Sequence, residues 1–232
     1  MLESSADSPL PPTYLAGWHQ ADLVKKMRYS QLGQTDLIVS QVGFGGCVVG
    51  GVYPDKGDLE EIYQCVDVGL RSGINFIDTS PFYGDGKSEE VLGQALRRVP
   101  RHTYYIATKV GRYSSDWKKA FDFSAETVVR EFEASLQRLQ LTYVDLVQVH
   151  DFEFRQDPEY IARVTLPAVR RIVESGKARY CGITGYPLQE FRKVLDLSSV
   201  RVDTVLSYAR NTFIDHTLEV NISTSVEGRV TC

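Results

Sequence analysis

The sequence predicts an α/β protein in which strand and helix patterns alternate six times along the chain. Short apolar runs are followed by segments whose apolar residues recur every three or four positions, the spacing of one helix face. The runs are apolar throughout, as is typical of parallel strands covered on both faces. Their ends lie roughly 20 to 40 residues apart, which suits tandem βα units. The pattern fits an open doubly wound sheet or a (β/α) barrel, and both bind ligands at the carboxyl ends of their strands.

A β-hairpin precedes these units, and several helices have a capping residue where they begin. The hairpin is predicted at residues 27–41, with its turn at 33–36. The six strands are predicted at residues 41–46, 74–78, 103–109, 143–150, 178–184 and 202–208. Helices are predicted to begin after Asp58, Ser124 and Asp157, whose side chains suit the first turn.

The composition is that of a globular protein and excludes several functional classes. The 232 residues suffice for one large domain or two small ones. The net charge of -4 gives no electrostatic footprint for nucleic acid, and no apolar run approaches the roughly 18 residues of a membrane span. Residues 1–26 lack the apolar core of a signal peptide, and their serines and prolines predict a flexible N-terminal arm.

The cysteines indicate a reducing compartment. Cys47, Cys65, Cys181 and Cys232 are scattered and form no CxxC pair, so we expect reduced thiols in a cytoplasmic protein. Metal-ligand spacing and a GxSxG nucleophile motif are both absent from the sequence.

Polar side chains close three successive apolar runs, and a tyrosine follows the first of them. Asp78, Lys109 and His150 end the second, third and fourth predicted strands. Tyr83 lies five residues after Asp78. Each of these four residues alone has an ordinary structural explanation. Because the carboxyl ends of parallel strands lie at one end of the sheet, however, we expect the four side chains to converge.

These four residue types together suit proton transfer. A tyrosine titrates at about pH 10 in water, and a neighbouring ammonium lowers that pKa. A carboxylate keeps the lysine charged and in place, and a histidine can orient a carbonyl. The set therefore predicts a site that moves a proton on or off a carbonyl or alcohol oxygen while a hydride moves elsewhere.

A glycine-rich segment after the first strand only partly matches a dinucleotide-binding motif. Gly43, Gly45 and Gly46 begin like GxGxxG, but Val48 stands where the last glycine is required. These glycines are expected mainly to let the chain turn tightly at the strand end.

Several segments resemble the aldo-keto reductase family, and together they span about residues 29–211. GINFIDTSPFYGDGKSEEVLGQAL is similar to the family's signature, and YSQLGQTDLIVSQVGFGG to its hairpin and first strand. YIATKVG and YVDLVQVHD resemble the strands that carry its lysine and histidine, and SGKARYCGITGYP resembles its fifth strand. The Thr184–Gly185 pair and LSYARN are most similar to the branch of L-galactose and D-arabinose dehydrogenases.

The resemblance implies a (β/α)8 TIM barrel that transfers hydride between NADP or NAD and a carbonyl carbon. The substrate would be a small molecule, an aldehyde or a sugar reacting at its anomeric carbon. By the same resemblance, Tyr83 is the general acid/base, and Lys109 and Asp78 tune it. His150 orients the carbonyl.

The cofactor-binding residues depart from the family pattern. Many relatives have Ser-Asn where this chain has Thr184–Gly185, and a glutamine near Thr204–Val205. A hydroxyl on Thr184 could replace part of that contact. The candidates for the cofactor site are Gly45, Gly46, Thr184, Gly185 and Tyr208, with Ser207 beside the last of them. Further candidates for the pocket are Tyr53, Phe82, Trp117 and Asp151.

The resemblance also predicts an incomplete barrel. A barrel of this kind closes with eight strands, and the sequence shows six. The barrel is assigned to residues 27–213, and residues 214–232 form a divergent tail unlike the family's last two units. In the family, those units supply most pyrophosphate contacts. The chain is therefore predicted to be C-terminally truncated, with its first and sixth strands as open edges.

The sequence leaves two functions as alternatives to an oxidoreductase. The first is a catalytically impaired isoform that acts as a binding or regulatory module for an unknown protein partner. The second is an open-sheet hydrolase, which would need a serine or cysteine nucleophile beside a histidine, and the sequence places none there.

Overall fold

A six-stranded parallel sheet forms the centre of the molecule. The computed structural model describes residues 9–51, 58–210 and 212–218. The parallel strands are β3 Phe44–Gly45, β4 Phe76–Asp78, β5 Tyr105–Val110, β6 Val144–Val149, β7 Ala178–Gly185 and β8 Thr204–Ser207. An antiparallel hairpin of β1 Tyr29–Gln31 and β2 Ile38–Ser40 precedes them, as the sequence predicts.

Helices connect the strands. The connecting helices are α2 Leu59–Arg71, α3 Lys87–Ala95, α4 Ala125–Leu139, α5 Pro158–Tyr160, α6 Leu166–Glu174 and α7 Leu188–Leu197, whereas α1 Ala21–Val24 precedes the hairpin. A π-helical segment, Ile161–Thr165, joins α5 to α6. Asp58, Ser124 and Asp157 each accept a backbone hydrogen bond at a helix start, which confirms the three predicted caps.

The strand order distinguishes the two fold classes that the sequence left open. Each strand of the parallel sheet pairs with the next one along the chain, in the order β3-β4-β5-β6-β7-β8. A doubly wound sheet reverses its order at a switch point, whereas a barrel does not. The described residues therefore form an incomplete (β/α) barrel, with six of the eight strands that close such a barrel, preceded by the hairpin.

The two outer strands keep open edges. Among the described residues, β3 and β8 each pair with a strand on one side only. Leu206 of β8 is 45% exposed, and Val42, just before β3, is 54% exposed. These are the open edges predicted from the sequence, and an open apolar edge favours pairing with other chains.

Residues 9–26 of the predicted N-terminal arm pack against the barrel. Asn75 donates a hydrogen bond of 2.9 Å from Nδ2 to Oγ1 of Thr13, which is buried. Arg71 lies over the Trp18 ring and donates to its carbonyl oxygen. Residues 9–26 therefore differ from the flexible arm expected from serine and proline content. Residues 1–8, and residues 219–232 of the predicted tail, lie outside the described part of the chain.

The helices bury one apolar face against the strands. Every residue of β5 and β6 is buried, as the apolar runs predict for parallel strands with two covered faces. Val128, Phe132 and Leu136 of α4 recur at the spacing of one helix face, and all three are buried. Within the described segments, no helix combines the length and apolar character needed to cross a membrane.

Helices α3 and α4 approach most closely at Gly93. A Cβ atom at this position would collide with the backbone carbonyl of Arg138 and lie 3.0 Å from the carbonyl carbon of Leu139. We expect Gly93→Ala to lower the free energy of unfolding by about 1–3 kcal/mol, because α3 and α4 would have to separate. Chemical denaturation measures the change.

Gly69 in α2 provides the matched control. A Cβ atom there would meet only Ile74 and Phe44, at 3.7 and 3.9 Å, which is ordinary contact. Gly69→Ala should leave the protein as stable or raise its stability by about 0.5–1 kcal/mol, as alanine does in a helix interior. Equal effects of the two substitutions would contradict this account of Gly93.

Candidate active site

The side chain of Lys109 lies at the centre of the site and is 1% exposed. Its Nζ donates to Asp78 Oδ2 at 2.6 Å, to the Thr79 carbonyl oxygen at 3.0 Å and to Tyr83 Oη at 3.0 Å. An ammonium has three hydrogens to donate, and each has a partner here. The ammonium is therefore fixed in one orientation, with one hydrogen directed at the phenol.

Register between the strands creates this arrangement. Asp78 pairs with Ala107, so Lys109 on β5 extends two residues beyond the end of β4. Lys109 pairs in turn with Gln148 on β6. Residues two apart on a strand point to the same face, so Gln148 and His150 share the interior of the barrel.

Both oxygens of the Asp78 carboxylate receive a hydrogen bond. Oδ2 accepts from Lys109, and Oδ1 accepts from Gln148 Nε2 at 3.2 Å. Gln148 is 2% exposed and was not singled out from the sequence. The available signal in the sequence was its position two residues before His150.

The surroundings favour a protonated lysine and a protonated phenol, the lysine because of neighbouring groups and the phenol because of burial. Burial opposes the charge of Lys109, but Asp78 and Tyr83 outweigh burial and raise the lysine pKa. Burial raises the pKa of Tyr83 and outweighs the lowering effect of Lys109. The ammonium lowers the tyrosine pKa as the sequence predicts, yet the net direction is upward because the phenol is desolvated.

His150 is buried and hydrogen-bonded to a serine. Its Nδ1 lies 3.0 Å from Ser80 Oγ, and its ring centroid lies 5.8 Å from that of Tyr83. Burial lowers the pKa of His150 well below its usual value, and Lys109 and Arg112 lower it further. The imidazole is therefore neutral at physiological pH and carries a proton on only one nitrogen.

The surroundings of Ser80 indicate which nitrogen of His150 is protonated. Ser80 Oγ accepts a hydrogen bond from the Phe82 backbone N–H at 3.1 Å. Its own proton can then go to Nδ1 of His150, since no other described residue accepts it. Nε2 would consequently carry the imidazole proton as a hydrogen-bond donor. Sequence reasoning missed Ser80, although its place between Asp78 and Tyr83 was a signal.

Close backbone packing fixes the loop that carries Tyr83. Gly50 lies against the Tyr83 carbonyl, and a Cβ atom there would come within 2.5 Å of that oxygen. Gly46 donates from its backbone N–H to the Asp78 carbonyl at 2.7 Å. A Cβ atom on Gly46 would lie 2.8 Å from Ser88 Oγ, whereas nothing lies near one on Gly45. Tight packing at the end of β3 therefore accounts for a glycine at position 46.

The other cofactor candidates lie at the ends of β7 and β8. Thr184 is 2% exposed and its Oγ1 accepts from the Asp151 N–H at 3.3 Å. Gly185 pairs with Ser207, whose Oγ is buried and has no partner among the described residues. Tyr208 is 68% exposed, and its ring lies 5.1 Å from that of Tyr186. An aromatic surface therefore adjoins hydroxyl groups that could bind a carboxamide.

Three of the four further pocket candidates can be placed. The Arg112 guanidinium lies over the Phe82 ring, 3.6 Å from its centroid. Arg112 Nη1 also donates a hydrogen bond of 2.5 Å to Oδ2 of Asp151. Trp117 is 66% exposed and packs edge-on against Phe154. Tyr53 lies outside the described residues. In the described part of the chain, no three potential metal ligands cluster.

Comparison with known proteins identifies the family of this chain. The model of the aldo/keto reductase family matches residues 41–217. The chain belongs to this family, and its relatives include oxidoreductases. This agrees with the barrel and with the resemblance found in the sequence.

The relatives include sugar dehydrogenases. The chain is 43% identical over 196 residues to L-galactose dehydrogenase of Arabidopsis thaliana, which covers 83% of this chain and 60% of that protein. It is 34% identical over 180 residues to D-arabinose 1-dehydrogenase of Saccharomyces cerevisiae, covering 73% of this chain and 52% of that protein. The chain thus spans just over half the length of these relatives.

A solved structure supports the fold. The holo form of an aldo-keto reductase from Bacillus halodurans matches with a TM-score of 0.66 and 30% identity. The match covers 78% of this chain and 58% of that chain.

Removing the Ser80 hydroxyl should change the protonation of His150. In the parent chain we expect the imidazole proton on Nε2, because Nδ1 accepts from Ser80. In Ser80→Ala, Nδ1 loses that donor, so a mixture with the Nδ1-protonated form is expected. Long-range 15N NMR of the histidine-labelled protein distinguishes the two forms, and His150→Gln assigns the signal.

Ser88→Ala is the matched control for this experiment. Ser88 is also fully buried, but its hydroxyl bonds Thr79 and the Gly46 carbonyl rather than His150. Ser88→Ala should therefore leave the 15N signals of His150 unchanged. A parent protein that carries the proton on Nδ1 would show that the assigned network is wrong.

Proposed function

We propose that this chain transfers hydride between a nicotinamide cofactor, NADP or NAD, and the carbonyl or anomeric carbon of a sugar or aldehyde. The observation that carries the proposal is the 3.0 Å hydrogen bond from the buried Lys109 ammonium to the Tyr83 phenol. His150 lies beside the phenol, and all three belong to one end of the barrel. L-galactose and D-arabinose are the first substrates to test, because the two sugar dehydrogenases above are relatives.

Tyr83 is the proposed general acid/base. In the reductive direction, the phenol protonates the carbonyl oxygen as that oxygen gains negative charge. Lys109 stabilises the phenolate that remains, because its ammonium is within hydrogen-bond distance and little exposed. In the oxidative direction, the phenolate removes the proton of the anomeric hydroxyl.

Asp78 and His150 have supporting roles in this mechanism. Asp78 keeps Lys109 charged and directed at the phenol, and Gln148 holds the other oxygen of the carboxylate. The neutral His150 would donate from Nε2 to the substrate oxygen and so place it next to Tyr83. A neutral donor suits this task because it orients the oxygen without competing to protonate it.

The residues at the ends of β7 and β8 suit a nicotinamide ring. When bound, the cofactor supplies or accepts the hydride. Thr184 and the unpartnered hydroxyl of Ser207 would bind the carboxamide, and the exposed Tyr208 ring would contact the face of the heterocycle. Gly185, which pairs with Ser207, and Gly45 and Gly46, at the end of β3 and directly after it, would be further contacts for the cofactor.

The proposal includes a cytoplasmic location. Cys47, Cys65 and Cys181 are unpaired thiols in the described part of the chain, which suits a reducing compartment.

Replacing Tyr83 by phenylalanine tests the proton-transfer role. Tyr83→Phe keeps the ring but removes the acidic hydroxyl. We expect kcat to fall on the order of a hundredfold to ten-thousandfold, the usual contribution of general acid–base catalysis. The assay follows NADH or NADPH absorbance with L-galactose and D-arabinose.

Tyr63→Phe on α2 is the matched control, because Tyr63 packs against the core and its hydroxyl has no hydrogen-bond partner among the described residues. Cofactor binding is measured separately by fluorescence titration. Equal rates for the parent chain and Tyr83→Phe would reject Tyr83 as the proton donor. A parent chain that binds neither cofactor at millimolar concentration would reject the proposed function as a whole.

A further inference from the structure

We propose that Asp151, held in place by Arg112, binds the hydroxyl group on the carbon next to the reacting carbonyl carbon. The site would then select carbonyl compounds with an adjacent hydroxyl, the arrangement at C1 and C2 of an aldose. This inference rests on the proposed function for the position of the reacting carbon.

The ion pair between Asp151 and Arg112 takes no part in the proton transfer described above, yet both side chains are largely buried. The Asp151 side chain is 7% exposed and that of Arg112 is 19% exposed. Removing two charges from water is unfavourable, and their attraction often fails to compensate for it. A buried ion pair at the edge of a reaction site is therefore poorly explained by stability alone.

The carboxylate lies beside the group that is proposed to hold the substrate oxygen. Asp151 Oδ2 is 3.8 Å from His150 Nε2. Two oxygens on adjacent carbons, each about 2.7–3.0 Å from its partner, can bridge such a gap. The first oxygen would accept from Nε2, and the second would donate its hydroxyl proton to Asp151. A carboxylate suits the second contact because it only accepts hydrogen bonds.

Asp151 has unused hydrogen-bonding capacity. Oδ2 accepts from Arg112, and no described residue donates to Oδ1. Burial raises the pKa of Asp151 against the opposing effect of Arg112. The carboxylate is thus only partly compensated within the protein, and a hydroxyl donor from a ligand would improve its hydrogen bonding.

Surrounding contacts hold this carboxylate in one place. Asp151 has a φ of 49°, in the left-handed region that non-glycine residues seldom adopt. Its backbone N–H donates to Thr184 Oγ1. The Arg112 guanidinium is stacked on the Phe82 ring, at 3.6 Å from the centroid. Strained backbone that is held by its surroundings is common at ligand sites.

The test compares substrates that differ only in the proposed hydroxyl. The parent chain and Asp151→Asn are assayed with L-galactose and with 2-deoxy-L-galactose, and with D-arabinose and 2-deoxy-D-ribose as a second pair. In Asp151→Asn, kcat/KM for the hydroxylated sugars should fall about tenfold to a hundredfold, and by less than about threefold for the deoxy sugars. Asp67→Asn, on the outer part of α2, is the matched control.

A binding measurement decides the question even if turnover is slow. Saturation-transfer NMR with the parent chain should detect L-galactose and show weaker signals for its 2-deoxy analogue, and Asp151→Asn should remove the difference. Equal losses for both sugars would mean that Asp151 only anchors its loop, and binding of neither sugar would also overturn the proposal. Sugar binding with this hydroxyl preference but without cofactor binding would support the site and reject the hydride-transfer function.

Discussion

The ion pair between Lys109 and Asp78 is the interaction on which the candidate site depends. Lys109 lies inside the barrel, where an unpaired ammonium would be strongly destabilised. Asp78 supplies the opposite charge at 2.6 Å. Removing one partner of such a buried pair typically costs about 3–5 kcal/mol. The pair therefore constrains both the stability of this end of the barrel and the position of the charge beside Tyr83.

The fold makes this pair possible because it joins consecutive parallel strands without changing their order. Asp78 ends β4, Lys109 lies near the end of β5 and His150 follows β6 directly. The three side chains therefore meet because their strands are neighbours both in the sequence and in the sheet. Close backbone contacts between Gly50 and the Tyr83 loop complete the arrangement, because they bring the phenol back over the lysine. Rigid strand ends and one tightly packed loop thus determine the geometry of the proton-transfer groups.

Much of the fold and part of the site could be predicted from sequence because their signals are local. Apolar runs and capping residues mark elements within a few positions, and Asp78, Lys109 and His150 each close such a run. The packing of the N-terminal arm depends on contacts such as Thr13 with Asn75, which are 62 positions apart. Serine and proline content gives no information on such contacts.

Supporting residues were missed for the same reason. Ser80 and Gln148 act on partners that are 70 positions away along the chain, so their sequence positions alone do not show which groups they contact. The direction in which the Tyr83 pKa shifts could not be predicted from the sequence either, because it depends on whether burial outweighs the charge of Lys109. The sequence shows which groups converge, whereas their hydrogen-bond partners and their degree of burial require the folded chain.

The central claim is that the Lys109 ammonium acts directly on the Tyr83 phenol. The most direct measurement is the titration of Tyr83 by NMR of 13Cζ-labelled tyrosine, in the parent chain and in Lys109→Met, with Tyr83→Phe to assign the signal. We expect a higher Tyr83 pKa in Lys109→Met, because the phenolate loses its neighbouring positive charge and the negative charge of Asp78 is no longer compensated. An unchanged or lower pKa in a folded Lys109→Met protein would contradict it.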